Sequence, residues 1–123
     1  MSIELHTDNL IIKKPSEVHL NFLIKELNNW NISQWLVNVP YPYTIDDAKY
    51  WLKKTKADDY CFNIFIKNIL IGGISITNKK NNTNPELGNW IGEDYWGKGY
   101  ANEACTNLIK YCFLNTSHNI IYT

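Results

Sequence analysis

Three glycines, Gly92, Gly97 and Gly99, stand between a strand-like run at 87–91 and a stretch of helical character that opens at Ala101, all within ELGNWIGEDYWGKGYANEA (residues 86–104). A strand, a glycine-rich turn and a helix N-terminus together make a site for a phosphate. Glycine lets the backbone approach the anion, and the first N–H groups of the helix point at it with the positive end of the dipole behind them. Two nucleotide-loop patterns fit only in part. Residues 92–98 follow G-x-x-x-x-G-K, but Gly99 stands where a Ser or Thr hydroxyl would bind magnesium, and Glu93 and Asp94 would set two carboxylates in the cradle. The dinucleotide pattern G-x-G-x-x-G begins with Gly97 and Gly99 and meets Asn102 where its third glycine belongs.

The elements that must hold this turn belong to one domain spanning residues 1–123, long enough to bury about two-thirds of its unfolded surface. A hydrophobic content of 45%, with 14% aromatic residues, describes a folded globular chain. Twelve basic residues balance 12 acidic ones, so no basic excess exists to neutralise nucleic-acid phosphates. Every basic residue is Lys. A phosphate held by a side chain must therefore meet a point charge and not a two-pronged guanidinium. Cys61, Cys105 and Cys112 are odd in number and widely spaced, and His6, His19 and His118 are scattered; reduced thiols and no metal site are expected. The N-terminal residues carry neither a long apolar run nor a basic leader, so a cytoplasmic, non-membrane protein is expected.

In chain order, 10–13 reads as a first strand. Ser16 can cap a first helix, whose apolar positions Val18, Phe22, Ile24 and Leu27 recur at roughly helical spacing up to about Asn28. A short second helix or loop follows, carrying Trp30 and Trp35. Pro40 and Pro42 break the helical pattern, and Thr44 with Asp47 three residues on forms a capping-box-like start to a helix over 45–56 with Ile45, Ala48, Leu52 and Thr55 on one face. Residues 60–66 and 70–77 form a hairpin around Asn68, and Gly72 and Gly73 suggest a bulge or a close backbone approach. The run at 87–91 is a fourth strand. Ala101, Ala104, Cys105, Leu108 and Cys112 define the buried face of a last helix, and 119–123 is a fifth strand.

The segment YWGKGYANEA resembles the pyrophosphate loop of the GNAT superfamily of N-acetyltransferases, Q/R-x-x-G-x-G/A followed by a helix, with Trp96, Gly99 and Ala101 on the pattern positions. Trp in place of Gln or Arg, with ELGNW before it, is similar to the RimJ/RimL-like branch, which acetylates protein N-termini and related amines. TDNLIIKKP resembles that branch's T-E-R-L-x-L-R opening, with Asn9 and Lys13 replacing its two arginines. The resemblance implies an α/β (α+β) fold: a mixed, mostly antiparallel five-stranded sheet flanked by helices. It also implies acetyl-CoA as co-substrate and transfer to a primary amine, either a protein N-terminus or a small molecule. It covers the first two-thirds of such an enzyme. The later helix with its N-x-x-S segment and the final strand pair have no counterpart here, so the expectation is a domain incomplete at its C-terminus. A catalytically weak or inactive coenzyme-binding or interaction remnant is the alternative.

By this resemblance, backbone N–H groups of 97–102 cradle the pyrophosphate, with Trp96, Gly97, Lys98, Gly99, Tyr100, Ala101 and Asn102 as the cofactor-binding residues. The pantetheine arm, itself an amide chain, pairs with the strand edge at Asn89, Trp90 and Ile91, where one N–H stabilises the oxyanion. Glu86 is the sole carboxylate of that strand; it reads either as the general base or as a solvated strand-end residue. Tyr122 offers a phenol as general acid or packs the core. Trp35, Tyr41 and Tyr43 either line the acceptor entrance or belong to the core. The strand at 119–123 would expose an edge without charge, so association through it, or marginal stability that depends on a missing piece, is expected.

Overall fold

The computed structural model describes residues 4–36, 39–55, 60–77 and 86–115, without the side chains of Thr77, Glu86 and residues 113–115. Its elements run β1 (Glu4–His6), β2 (Ile11–Lys13), a 3-10 turn (Glu17–His19), α1 (Leu20–Leu27), α2 (Trp30–Ser33), α3 (Ile45–Thr55), β3 (Cys61–Ile66), β4 (Ile69–Thr77), β5 (Glu86–Ile91), a second 3-10 turn (Glu93–Tyr95) and α4 (Tyr100–Asn115). The five strands form one antiparallel sheet in the order β1-β2-β3-β4-β5. The expected sheet of five strands flanked by helices is present, with one difference in membership. β1 was not legible, because Leu5 is its one half-buried apolar residue between Glu4 and His6. The strand expected at 119–123 lies outside the described residues.

Alternation along β5 separates the two faces of the sheet. Leu87 and Ile91 join a core formed with Phe62, Ile64, Ala104, Leu108 and Cys112, so α4 covers that face. Trp90 points the other way and packs against the cluster built from α1, α2 and α3, which includes Leu23, Leu27, Tyr43 and Leu52. The small residue Ala104, fully buried, lets α4 lie close to the strands.

The helical starts follow the expected chemistry. Thr44 and Asp47 make a reciprocal capping box: the Thr44 N–H donates to Asp47 Oδ2 at 2.9 Å and the Asp47 N–H to Thr44 Oγ1 at 3.2 Å. Ser16 accepts from the Val18 N–H at 3.4 Å. The face of α1 is a correction. Val18 is 76% and Phe22 45% exposed, whereas Leu20, Leu23 and Leu27 are buried. The Ser16 cap starts a 3-10 turn and not the α-helix itself, so Val18 precedes the helix and the buried face starts at Leu20. Likewise, the last helix opens one residue earlier than expected, at Tyr100.

Both readings of the glycine pair hold. The β3–β4 ladder shifts register between Ile64, paired with Gly72, and Phe65, paired with Leu70, which leaves Ile71 as the extra residue of a bulge. A methyl group on Gly72 would collide with the Trp90 carbonyl, and one on Gly73 would sit 2.5 Å from the Trp90 indole nitrogen. Gly72→Ala therefore pushes against backbone that cannot step aside. A loss of about 3 kcal/mol in denaturant unfolding is expected; a loss well under about 1 kcal/mol would contradict so close an approach of β4 and β5.

No described helix is long and apolar enough to cross a membrane.

Candidate functional site

The glycine turn is built from the end of β5 outward. At Gly92 the backbone N–H donates to the Ile71 carbonyl at 2.7 Å, which ties the exit of β5 to the bulge of β4. The second 3-10 turn follows, then Trp96 in extended conformation. Its indole N–H reaches back to the Ile91 carbonyl at 2.7 Å, closing the loop with a side chain. Gly97 (φ 76) and Gly99 (φ 81) both adopt the left-handed region that favours glycine. The Glu103 N–H makes the first bond of α4, to the Gly99 carbonyl at 3.0 Å, so the N–H groups of Tyr100, Ala101 and Asn102 precede the helical ladder. A Cβ on Gly97 or Gly99 would meet no protein atom within 4 Å. These features fit an anion: free donors, a helix dipole and open space on one side of the turn.

Of the two carboxylates in the loop, Glu93 leaves the turn. Glu93 is turned toward α2, where it accepts from Asn29 Nδ2 at 2.7 Å and from Asn31 Nδ2 at 3.1 Å through each oxygen. Hydrogen bonds from Asn29 and Asn31 hold its carboxyl below the usual range. The loop is thus strapped to the helix that precedes Trp35. Across the N-terminus of α4, Glu103 accepts from the Asn9 N–H and Asn9 Nδ2, both at 2.9 Å, and from the Thr7 hydroxyl. Burial pushes this carboxyl up, but the bonds from Asn9 and Thr7 together outweigh it and hold it low. The β1–β2 turn therefore braces the first turn of α4.

Glu26, on α1, plays the opposite electrostatic part. Its carboxylate abuts Gly92, where any added Cβ would collide with it. Burial, then the neighbouring Asp94 charge, push its carboxyl up, with Lys25 partly opposing. A raised folded-state value means that ionised Glu26 costs stability at neutral pH, and that the cost disappears below the unfolded value. Glu26→Gln is expected to raise the melting temperature at neutral pH and to leave it unchanged in acid where the carboxyl is already protonated. A gain that persists at both pH values, or a loss at neutral pH, would contradict this reading.

Trp35 and Tyr43 come together at a cavity of about 400 Å³ between the helical layer and the sheet; Tyr41 does not line it. Tyr41 is half exposed and packs its ring, tilted, against Trp30 with ring centroids 5.2 Å apart. Asn28 holds Tyr43 in position from both sides, accepting from its N–H at 2.6 Å and donating to its carbonyl at 2.7 Å. Burial, with Asp47 adding to it, pushes the Tyr43 phenol up to about 12, so it stays protonated. Sequence reasoning missed Trp51 and Ser75, which also line the cavity. For Trp51 a signal existed: with Ala48, Leu52 and Thr55 it completes an i, i+3, i+4, i+7 stripe.

Gly88, Asn89 and Trp90 line the cavity on the sheet side. β5 pairs with β4 on one side and, among the described residues, with no strand on the other. The Asn89 side chain faces α4, its amide 3.4 Å from Cys105 Sγ. Lys98 and Asn102 are exposed beside the turn. Glu86 pairs through its backbone with Thr77 at the start of β5; its side chain lies outside the described residues, as does the whole of Tyr122.

A sheet edge thus runs into a glycine-rich turn at a helix N-terminus, beside a cavity lined by aromatic residues. Residues 9–122 match the family model described as acetyltransferase (GNAT) domain, and the chain belongs to that family of acetyl-transferring enzymes. Among solved structures, an acetyltransferase of the GNAT family from Bacillus anthracis superposes with a TM-score of 0.83 at 21% identity, over 97% of this chain and 71% of that one. RimL, described as a ribosomal L7/L12 alpha-N-protein acetyltransferase in complex with coenzyme A, gives 0.75 at 18%, over 89% and 67%. The Microcin C7 self immunity acetyltransferase MccE, in complex with acetyl-CoA and AMP, gives 0.74 at 19%, over 86% and 63%. At these identities the structures share the fold. A search of curated proteins found no significant match.

Proposed function

We propose that the protein transfers the acetyl group of acetyl-CoA to a primary amine, borne by a protein N-terminus or a small molecule. The observation that carries this reading is the turn at 97–102: two left-handed glycines, three helical N–H groups ahead of the first α4 bond, and the Trp96 brace. Backbone donors of that segment hold the pyrophosphate, Lys98 adds a charge, the Asn102 amide adds a donor, and Trp96 and Tyr100 flank the phosphates. The amides of the pantetheine arm pair with the outer edge of β5 at Asn89, Trp90 and Ile91.

This arrangement directs the thioester toward the cavity that Trp35 and Tyr43 line. Tyr41, on the outer side, contacts the part of the acceptor that remains outside. The amine lone pair attacks the thioester carbonyl carbon, a β5 N–H stabilises the charge that develops on its oxygen, the carbon–sulfur bond breaks, and the thiolate takes up a proton. Glu86 removes the ammonium proton, directly or through a water, and Tyr122 supplies a proton to the thiolate. The reading applies to residues 1–123 as one acetyl-CoA-binding domain acting in the cytoplasm, with self-association through residues 119–123.

Incubation with acetyl-CoA and a mixture of amine acceptors, read by mass spectrometry for a gain of one acetyl group, tests the proposal. Acetylation that requires the protein is expected. Absence of product, together with no heat of binding on titration of coenzyme A, would overturn it.

A further inference from the structure

The cavity beside β5 has a chemical character of its own. None of the described residues that line it carries a charge; Leu27, Trp35, Tyr43, Trp51 and Trp90 are among them, and Ser75 and Tyr43 bring hydroxyls. Its volume of about 400 Å³ lies in the range of small-molecule sites, which bury an apolar body and orient it with a few polar groups. Trp35, 77% exposed, stands at the rim, while Tyr43 is 5% exposed in the interior.

We propose that the acceptor is a weakly basic α-amine attached to a bulky apolar or aromatic side chain that fills this cavity. The inference rests on the acetyl-transfer reading and narrows its substrate. Three acceptor classes are disfavoured by the lining. A polyamine or an aminosugar needs carboxylates to replace the water lost by its extra ammonium groups, and the described lining residues supply none. An acidic first residue would bury its charge without a cation. A lysine ε-amine must be neutral to attack; with ordinary values near 10.4 against about 7.8, its neutral fraction at neutral pH is lower than that of an α-amine by a factor of about 400. The described lining offers no carboxylate that would hold the ammonium form, so the α-amine enters more readily as the free base, and Glu86 takes up the proton that the nitrogen releases after attack. The aromatic faces then receive the apolar side chain, and the amine lies at the Gly88–Trp90 end, with the Ser75 hydroxyl to orient it.

Competition among equimolar short peptides headed by Phe, Leu, Ser, Asp and Lys, with phenylalanine amide as a free small amine, tests this. The Phe- and Leu-headed peptides should exceed the Ser-, Asp- and Lys-headed ones at least about tenfold in kcat/KM, the discrimination a hydrophobic pocket achieves. Equal or greater turnover of the Ser-, Asp- or Lys-headed peptide would overturn the inference and leave acetyl transfer standing. Turnover of phenylalanine amide alongside the Phe-headed peptide would assign the selectivity to the side chain; turnover of the peptide alone would assign it to the peptide terminus. Both outcomes support the apolar class. Binding is measured separately by tryptophan fluorescence, since three of the chain's five Trp line the cavity. Saturable binding of phenylalanine amide about tenfold tighter than that of aspartate amide supports the inference even without turnover, and no such preference overturns it. Trp35→Glu, a change at the exposed rim, should shrink the preference for Phe over Lys. An unchanged preference would count against the cavity as the selecting site. Failure of coenzyme A to bind would strike the acetyl-transfer reading alone.

Discussion

Coenzyme A binding is expected to fall at least about a hundredfold when Gly99 is replaced by Val. Two effects combine. Gly99 holds φ at 81, where a β-branched residue is strongly disfavoured, so the backbone that aims the N–H groups of Tyr100, Ala101 and Asn102 must change. The strain alone is about 1–2 kcal/mol. In addition, the side chain would project into the open side of the turn, where a Cβ meets no protein atom now. Because the site there is open, the variant retains its packing and α4 keeps its buried face through Ala104 and Leu108. Calorimetric titration measures the affinity and circular dichroism checks the fold. A folded Gly99→Val protein that binds coenzyme A as the parent does would move the site elsewhere.

The second large effect concerns turnover. Glu86→Gln preserves shape and the backbone pairing with Thr77 while removing the carboxylate proposed as the base, so the acetylation rate should fall about a hundredfold or more. Affinity for coenzyme A should not change, since the phosphate turn and the β5 edge at 89–91 are untouched. Steady-state rates, with a parallel titration, separate the two quantities. An unchanged rate would reduce Glu86 to a structural residue at the strand end.

These effects concern parts of the molecule that differ in how openly the sequence displays them. The backbone of the glycine turn was legible because glycine spacing is itself a backbone requirement: Gly97 and Gly99 mark left-handed positions, and Gly72 and Gly73 mark a close approach to Trp90. The α3 start was legible because both partners of its capping box lie three residues apart. Contacts between distant segments were not. Nothing local in Glu93 indicates that its carboxylate leaves the loop for Asn29 and Asn31, or that Glu103 is held by Thr7 and Asn9 more than 90 residues earlier. The helical face of α1 was misread because Val18 and Phe22 are apolar enough to suggest a stripe, while the Ser16 cap belongs to a 3-10 turn that shifts the start. For the aromatics, residue type alone could not divide Tyr41, packed against Trp30 outside, from Tyr43, buried at the cavity. That division depends on Asn28, which clamps Tyr43 from another element.

The central claim is that one turn, braced by Trp96, binds the pyrophosphate and hands the rest of the coenzyme to the edge of β5. Backbone amide shifts of the isotopically labelled protein during titration with acetyl-CoA test it residue by residue. The largest changes should fall on Gly97 through Asn102, with a second group at Asn89, Trp90 and Ile91, and saturate together at one affinity. Saturable binding whose largest changes lie outside both segments, or no change at all, would contradict the account.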